Sequence, residues 1–389
     1  MYADEALKTI GDSKFPNAAP SIALCAAYTV KLLGEGVELL IPDLSGLWQS
    51  HLPKVECAAF LDALLKVDIP ESIKQNINRQ IAVTYSFPEF IVNEWVERFG
   101  LEETRQLCAS LNQQAPITIR VNTLKTTVEQ CQNDLLKHGV NSERTKLSPF
   151  GLVLAKRINS QELDAFKKGY FEMQDEGSQL LSLLLEPSAG ECVVDACAGA
   201  GGKSLHIAAM MQNEGSLLAI DVDKKRLQNL RQRVQRAGIS IVKPSLELHK
   251  GDATEWDQKA DKVLVDAPCS GVGIFRRSPA AKLTFNEASV ESFSRTQYSL
   301  LEKYKDLAKP GGRLVYATCT LIQKENEDVV HRFLGTHTEF TLLSASEILA
   351  KQGIHIKSNA SQFLTLLPHK TTTDGFFAAV MVKKEEKAR

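Results

Sequence analysis

The second half of the chain alternates short apolar runs with helical stretches, at Cys192–Asp195, Leu217–Asp221, Leu246–His249, Val263–Asp266 and Leu314–Ala317. Continuous rather than alternating apolar runs read as strands buried on both faces. Helices between them make neighbouring strands parallel, so this stretch specifies a doubly wound α/β sheet. Two later runs, Phe340–Leu343 and Phe376–Val382, bring the expected sheet to seven strands. The last comes after the turn dipeptide Asp374-Gly375 and is expected to return antiparallel. Ligands of such sheets bind outside the carboxyl ends of the strands, so function is sought in the loop after each run.

Two of the runs open into small polar loops that each carry a thiol. Cys269 lies in Asp266-Ala267-Pro268-Cys269-Ser270-Gly271 and Cys319 in Tyr316-Ala317-Thr318-Cys319-Thr320. A thiol at a strand mouth is placed like a nucleophile, whereas one inside a strand would pack. Two such thiols suggest covalent chemistry on an electrophilic carbon.

The first run leads into Asp195-Ala196-Cys197-Ala198-Gly199-Ala200-Gly201-Gly202-Lys203-Ser204, a glycine-rich turn that opens a helix. Glycines let the backbone approach a ligand, and the free amides of the helix start point at it. Gly202-Lys203-Ser204 matches the end of a P-loop, but that spacing demands glycine at position 197, where the chain has Cys197. The alternative is a nucleoside-cofactor site, with Asp221 at the second strand end accepting ribose hydroxyls and Asp252 at the third bonding an adenine amine. Acids at four strand ends (Asp195, Asp221, Asp252, Asp266) repel a polyphosphate and suit a cofactor with hydroxyls, an amine and a sulfonium. S-adenosylmethionine has those groups.

The first half reads differently. Ile22, Leu24, Cys25, Tyr28, Leu32 and Leu33, and again Phe60, Leu61, Leu64 and Leu65, recur at helical spacing, with Pro70 near a further helix start and a second helical stretch from Pro88 to Leu111. Ile117–Val121 and Gly151–Leu154 then read as strands around a helix from Thr127 to Lys137, a small α/β module with Arg120, Lys125, Lys156 and Arg157 at its edges. Lys224 to Arg236 holds six basic residues and no acid, which reads as a solvated helix face.

Composition bounds the class. The 389 residues are 43% hydrophobic and 24% charged, with net charge −1, enough for several domains and neutral on the question of nucleic acid. The eight cysteines include no close C-x-x-C spacing, so neither a disulfide framework nor a zinc site is expected. No apolar run spans a membrane and the first residues carry no secretory pattern, so a cytoplasmic protein without membrane contact is expected.

With these motifs assembled, residues 80 to 382 resemble the NOP/Sun (RsmB-like) family of RNA cytosine-5 methyltransferases. The resemblance rests on Arg120-Val121-Asn122-Thr123-Leu124-Lys125, Phe171 to Gln179, Cys197 to Lys203, both cysteine loops, Leu367-Pro368-His369 and Asp374-Gly375-Phe376-Phe377. It implies a Rossmann-like methyltransferase domain at 161–383, an RNA-binding module at 79–160, a helical segment at 1–78 and a disordered tail at 384–389. It further implies S-adenosylmethionine held by Cys197, Ala198, Gly199, Ala200, Gly201, Gly202, Lys203, Asp221, Asp252 and Asp266. From chemistry alone either thiol could attack; the resemblance makes Cys319 the nucleophile, with Cys269 assisting product release and Asp266 bonding the base edge. Arg120, Lys125, Arg276 and Arg277 are expected to contact phosphate, the substrate to be RNA (16S rRNA by family default), and the protein to be a monomer. The family's loop has alanine and proline where this chain has Gly199 and Ala200, and bacterial rRNA-specific members carry a longer, NusB-like helical domain. A non-catalytic RNA-binding protein and a P-loop ATPase are the readings from other classes.

Overall fold

The computed structural model describes residues 57–66, 75–247, 253–356 and 362–385. Of the helical segment expected at 1–78, residues 1–56 and 67–74, with Pro70, lie outside the described residues, as do Asp252 and residues 386–389 of the tail. The described residues form two units, one ending at Gln114 and taking in Ser278–Thr284, the other holding Ala115–Arg277 and the chain from Phe285 onward.

The first unit is helical, with α1 (Cys57–Lys66), α2 (Ile77–Tyr85), α3 (Glu89–Phe99) and α4 (Leu101–Asn112). The single helical stretch expected from Pro88 to Leu111 is thus two helices. Gly100, at φ 82°, turns the chain between them, a backbone conformation that disfavours side chains. Ile91 and Trp95 of α3 and Leu107, Cys108 and Leu111 of α4 are fully buried, the one-sided burial that amphipathic spacing dictates.

In the second unit, β1 (Ile117–Val121), α5 (Val128–Lys137), β2 (Ser142–Arg144), β3 (Gly151–Leu154) and β4 (Phe171–Met173) build a small module. Its sheet has the order β2-β3-β1-β4, and the pairs are antiparallel. Thr127 and Gln130 close a capping box at the start of α5. Ile119, Cys131, Leu135, Leu152 and Phe171 fill the core between α5 and the sheet.

The larger sheet begins after α6 (Glu176–Leu185), whose N-cap Asp175 accepts from the Gly177 amide at 2.8 Å. It continues through β5 (Cys192–Asp195), α7 (Gly202–Met210), β6 (Ser216–Asp221), α8 (Lys224–Ala237), β7 (Val242–Leu246) and β8 (Ala260–Asp266). Then come α9 (Glu287–Tyr304), β9 (Ala308–Thr318), α10 (Glu327–Thr336), β10 (Phe340–Leu343), α11 (Ala345–Lys351), β11 (Leu364–Leu366) and β12 (Phe376–Lys383). The strand order is β10-β12-β9-β8-β5-β6-β7, with short β11 beside β12. The strands from β7 to β9 run parallel, and β12 lies antiparallel against both β9 and β10. This is the Rossmann-like α/β fold expected, the last strand reversed and one short strand added. The third strand is Val242–Leu246, beginning four residues before the expected Leu246, while residues 248–249 of the expected run lie outside the described residues. Pro244 argues against a strand here, and the structure accommodates it because, among the described residues, β7 is an edge strand. The chain runs outward through β5, β6 and β7, then returns to lay β8 on the other side of β5. Strand order therefore reverses between β5 and β8, where a crevice opens at the strand ends. Among the described residues no helix is long and apolar enough to cross a membrane.

The module is fused to the larger sheet by the Arg120–Lys125 stretch. Asn122 Nδ2 donates to the Gly169 and Ala237 carbonyls, both at 3.0 Å, and Lys125 Nζ to those of Lys168 and Arg236, at 2.8 and 2.7 Å. The Arg236 and Ala237 carbonyls end α8, where no intrahelical donor remains, and a cation there also suits the helix dipole. Arg233 and Arg236 turn inward onto Glu172 at 3.0 and 2.5 Å, while Lys224, Lys225, Arg226 and Arg231 stay exposed. The basic helix therefore has a solvated face and a structural one.

A Cβ on Gly169, at φ 75°, would stand 2.1 Å from the Arg236 carbonyl oxygen, whereas one on Gly190, at φ 85°, would meet nothing within 4 Å. Gly169→Ala should therefore cost more than ~2 kcal/mol of unfolding free energy, and Gly190→Ala only the ~1 kcal/mol of positive-φ strain. Urea unfolding of the two variants beside the parent measures the difference.

Candidate active site

Asp195 ends β5 fully buried, with Oδ2 accepting from Ser204 Oγ at 2.6 Å and Oδ1 without a partner. Burial, together with the nearby Asp266 and Asp221 charges, pushes its carboxyl up to about 6 against the help of Ser204 and Lys203. The chain then turns through Cys197, Ala198, Gly199, Ala200 and Gly201 into α7. Gly201 takes φ 85° with Leu230 packed beneath it, so that a Cβ would lie 2.0 Å from Leu230 Cδ1. Over Gly199 and Gly202 a Cβ would meet nothing within 4 Å. The loop is thus closed against the core below and open above, at the mouth of a helix whose first amides lack intrahelical acceptors.

Asp221, at the end of β6, props this loop. Its Oδ2 accepts from the Gly199 amide and its Oδ1 from the Asp223 amide, both at 2.8 Å. A carboxylate has about four acceptor sites, so two bonds leave capacity for a ligand. Lys203, one residue into α7, extends to Asp266 at the end of β8, Nζ to Oδ2 at 2.5 Å. Burial opposes the lysine's charge, but Asp266, Asp195 and Cys319 outweigh it and hold its pKa above the ordinary value. Cys197 is pushed up by burial and then by the same acids, so it remains a thiol.

The two loop cysteines meet. Cys269 Sγ and Cys319 Sγ are 3.4 Å apart, both half-buried. The hydrogen bond to Cys319, then burial, then the Cys319 and Glu325 charges raise the Cys269 thiol well above its ordinary pKa. Backbone contacts hold the loops together, with the Ala267 amide on the Ala317 carbonyl at 2.9 Å, Gly273 on Cys319 at 3.0 Å and Gly375 on Gly273 at 2.8 Å. Side chains add to them: Ser270 Oγ meets Thr320 Oγ1 at 2.7 Å, and the fully buried Glu325 carboxylate accepts from the Ser270 amide at 2.9 Å and Gln297 Nε2 at 3.0 Å. Sequence reasoning misses Glu325 and Gln297. The one legible signal is Gln297 itself, a polar residue in line with the buried Val290, Leu301 and Tyr304 of α9.

The expected phosphate contacts are placed otherwise. Arg120, at 2% exposure, donates to Gln174 and, at 2.6 Å, to the Gly202 carbonyl; burial lowers its pKa to about 9. Arg276, at 9%, pairs with Asp374 at 2.6 Å and bonds the Thr372 carbonyl. Neither guanidinium faces solvent, which corrects the expectation that they contact phosphate: both bind protein groups. Arg277 is exposed, but its guanidinium pairs with Asp374 and, at 2.9 Å, with Asp175. Lys125 is exposed along its stem, its ammonium on two carbonyls. Cys319, Cys269, Asp266 and Lys203 are brought together, with Asp195 behind them and Asp221 under the glycine loop.

Residues 182–382 match the family model described as 16S rRNA methyltransferase RsmB/F, and residues 87–161 that of the RsmF/B-like ferredoxin-like domain. The probable ribosomal RNA small subunit methyltransferase B of Bacillus subtilis (strain 168) is 33% identical over 309 residues, covering 79% of this chain and 68% of that protein. Its counterpart from Synechocystis sp. is 34% identical over 305 residues, covering 77% and 67%. Among solved structures, PH0851 superposes with TM-score 0.80 at 30% identity over 99% of this chain and 86% of that one. A methyltransferase homolog protein from Pyrococcus horikoshii superposes with TM-score 0.67 at 27% identity, over 81% and 100%.

Asp195 makes stability depend on pH. Its folded pKa of about 6 exceeds that of an unfolded aspartate, so between about pH 4 and 6 the unfolded chain binds fewer protons and stability falls as pH rises. The penalty at neutral pH is on the order of 3 kcal/mol. Asp195→Asn keeps an acceptor for Ser204 and removes the titration. Its unfolding free energy relative to the parent should rise from pH 4 to pH 7, and parallel urea series at the two pH values check it.

Proposed function

The chain belongs to the 16S rRNA methyltransferase RsmB/F family, and we propose that it forms 5-methylcytosine in RNA from S-adenosylmethionine, with small-subunit ribosomal RNA as substrate and Cys319 as nucleophile. The observation that carries this reading is the pair of thiols 3.4 Å apart at the ends of β8 and β9, beside the Lys203–Asp266 ion pair.

The glycine loop and the acids around it fit the cofactor. Open space over Gly199 and Gly202 admits a ligand against the backbone, and Asp221 retains acceptor capacity for two ribose hydroxyls. The carboxylates of Asp195, Asp221 and Asp266 would repel phosphates and favour a sulfonium. The cofactor supplies an electrophilic methyl group.

Carbon 5 of cytosine is too weak a nucleophile to accept a methyl group until the ring becomes an enamine. Addition of the Cys319 thiolate to carbon 6 achieves this, breaking the 5,6 double bond as the sulfur–carbon bond forms. The Lys203 ammonium sets a positive charge near the attacking sulfur. Cys269, hydrogen-bonded to Cys319 and held as a thiol, is suited to deliver or receive a proton as the product is released. In this reading Asp266, paired with Lys203, bonds the base edge. Loss of the carbon 5 proton and departure of Cys319 then restore the aromatic ring. The site lies in a crevice, so the target base must be unpaired or flipped out of its stack.

Labelled S-adenosylmethionine incubated with RNA from a deletion strain should give labelled cytosine, and mapping that cytosine identifies the RNA; no transfer to any RNA ends the reading. Cys319→Ala should abolish transfer, while Cys269→Ala should accumulate a covalent protein–RNA adduct on denaturing gels. The reverse pattern would make Cys269 the nucleophile. Asp221→Ala should weaken cofactor binding about 10- to 100-fold by calorimetry, the loss expected for two hydrogen bonds to a charged acceptor.

A further inference from the structure

Glu325 lies in the turn after the Cys319 loop, fully buried. Its contacts are donations to the carboxylate: the Ser270 amide at 2.9 Å, Gln297 Nε2 at 3.0 Å and Thr320 Oγ1 at 3.5 Å. Burial raises the Glu325 carboxyl above its ordinary pKa, and these donors oppose that shift by bonding the charged form. Among the described residues no lysine, arginine or histidine nitrogen is within 4.0 Å of it. An uncompensated buried carboxylate is costly, and an apolar or amide side chain would fill the space at less expense. Packing alone does not explain an acid here.

Its neighbours do. Ser270 comes directly after Cys269, Thr320 directly after Cys319, and Gln297 of α9 donates both to Glu325 and to the Pro268 carbonyl at 3.0 Å. One carboxylate thus ties both cysteine loops to one helix. The charges around the thiols are unequal. Cys269 has Glu325 and the un-ionised Tyr316 hydroxyl beside it, and that hydroxyl is turned to the Glu325 carbonyl at 2.5 Å. Glu327 stands beyond Tyr316, and the acids Asp195 and Asp266 are neutralised in part by Lys203, whose positive charge faces Cys319.

We propose that Glu325 is a positioning residue that decides between the two thiols: its carboxylate locks the two loops in register, and its negative charge keeps the proton on Cys269, leaving Cys319 to attack. The inference rests on the cysteine roles proposed for cytosine methylation, yet its test needs neither RNA nor cofactor, so failure of the cytosine reading is detected separately by the cysteine variants.

The test is alkylation of the full chain by iodoacetamide across pH 6 to 10, each cysteine followed by peptide mass spectrometry. Glu325→Gln keeps the shape and removes the charge. Cys269, whose raised pKa keeps it on the rising limb across this range, should be labelled about tenfold faster, the equivalent of about one pH unit, while Cys319 labelling changes by less than about twofold. Glu325→Asp, which restores a charge, should return Cys269 toward the parent profile. An unchanged Cys269 labelling rate, or equal acceleration at both thiols, overturns the proposal, since loosened loops would expose both alike. Should Glu325→Gln not fold, Gln297→Met decides. It removes one donor and keeps the charge, so Cys269 must be labelled no faster than in the parent, and faster labelling there overturns the proposal.

Discussion

Gly273 stands where three segments converge. Its amide donates to the Cys319 carbonyl, its carbonyl accepts from the Gly375 amide, and a Cβ there would sit 2.2 Å from the Gly375 oxygen and 2.8 Å from that of Cys319. Only bare backbone brings the loop after β8 this close to the loop after β9 and to the turn entering β12. The parallel pairing of β8 with β9 sets the strand ends side by side, and this contact draws their loops together until two sulfurs meet. The buried Arg276–Asp374 pair fastens the same turn from the far side. An ion pair so placed is poor evidence of net stability, but losing one partner would strand the other charge. The arrangement of the thiols is therefore a property of backbone approach first and of side chains second.

The acids at the strand ends impose a different constraint. Asp195 has one oxygen without a partner, and Asp221 and Asp266 stand near enough to raise its proton affinity. The fold tolerates this because the loops around them are anchored elsewhere, Gly201 on Leu230 and Asp221 on two amides. Polar groups held ready for a ligand at some expense to stability are a common property of sites that must bind a cation or hydroxyls.

The parts of this architecture legible in the sequence are those written in hydrophobic period and strand-end chemistry. β1, β3, β5 and β8 fall on runs whose apolar character admits no other element, and the acids and thiols after them are visible because they break those runs. β7 is displaced by four residues because Pro244 argues against a central strand, and nothing local says that the strand is an edge. Arg120 shows a deeper limit. Alternation along β1 turns Ile119 and Val121 to the module core and Arg120 to the opposite face, which reads as solvent. That the larger domain covers this face is a fact of tertiary structure. Glu325 is invisible for a related reason, since an acid in a polar turn is ordinary until three donors from three elements converge on it.

The joint made by Arg120, Asn122 and Lys125 has a consequence for how this protein can be divided. Two family models meet the chain on either side of residues 162–181, which invites treating the segments as separable. The hydrogen bonds say otherwise. The carbonyls that end α8 and the carbonyl of Gly202 beside the glycine loop are satisfied from the smaller module. A fragment cut between the two models would carry bare carbonyls at the end of α8 and would lose the Arg120 contact beside the glycine loop. Ala115–Arg277 and the chain from Phe285 onward form one unit, and the smaller module is one wall of that unit rather than an accessory to it.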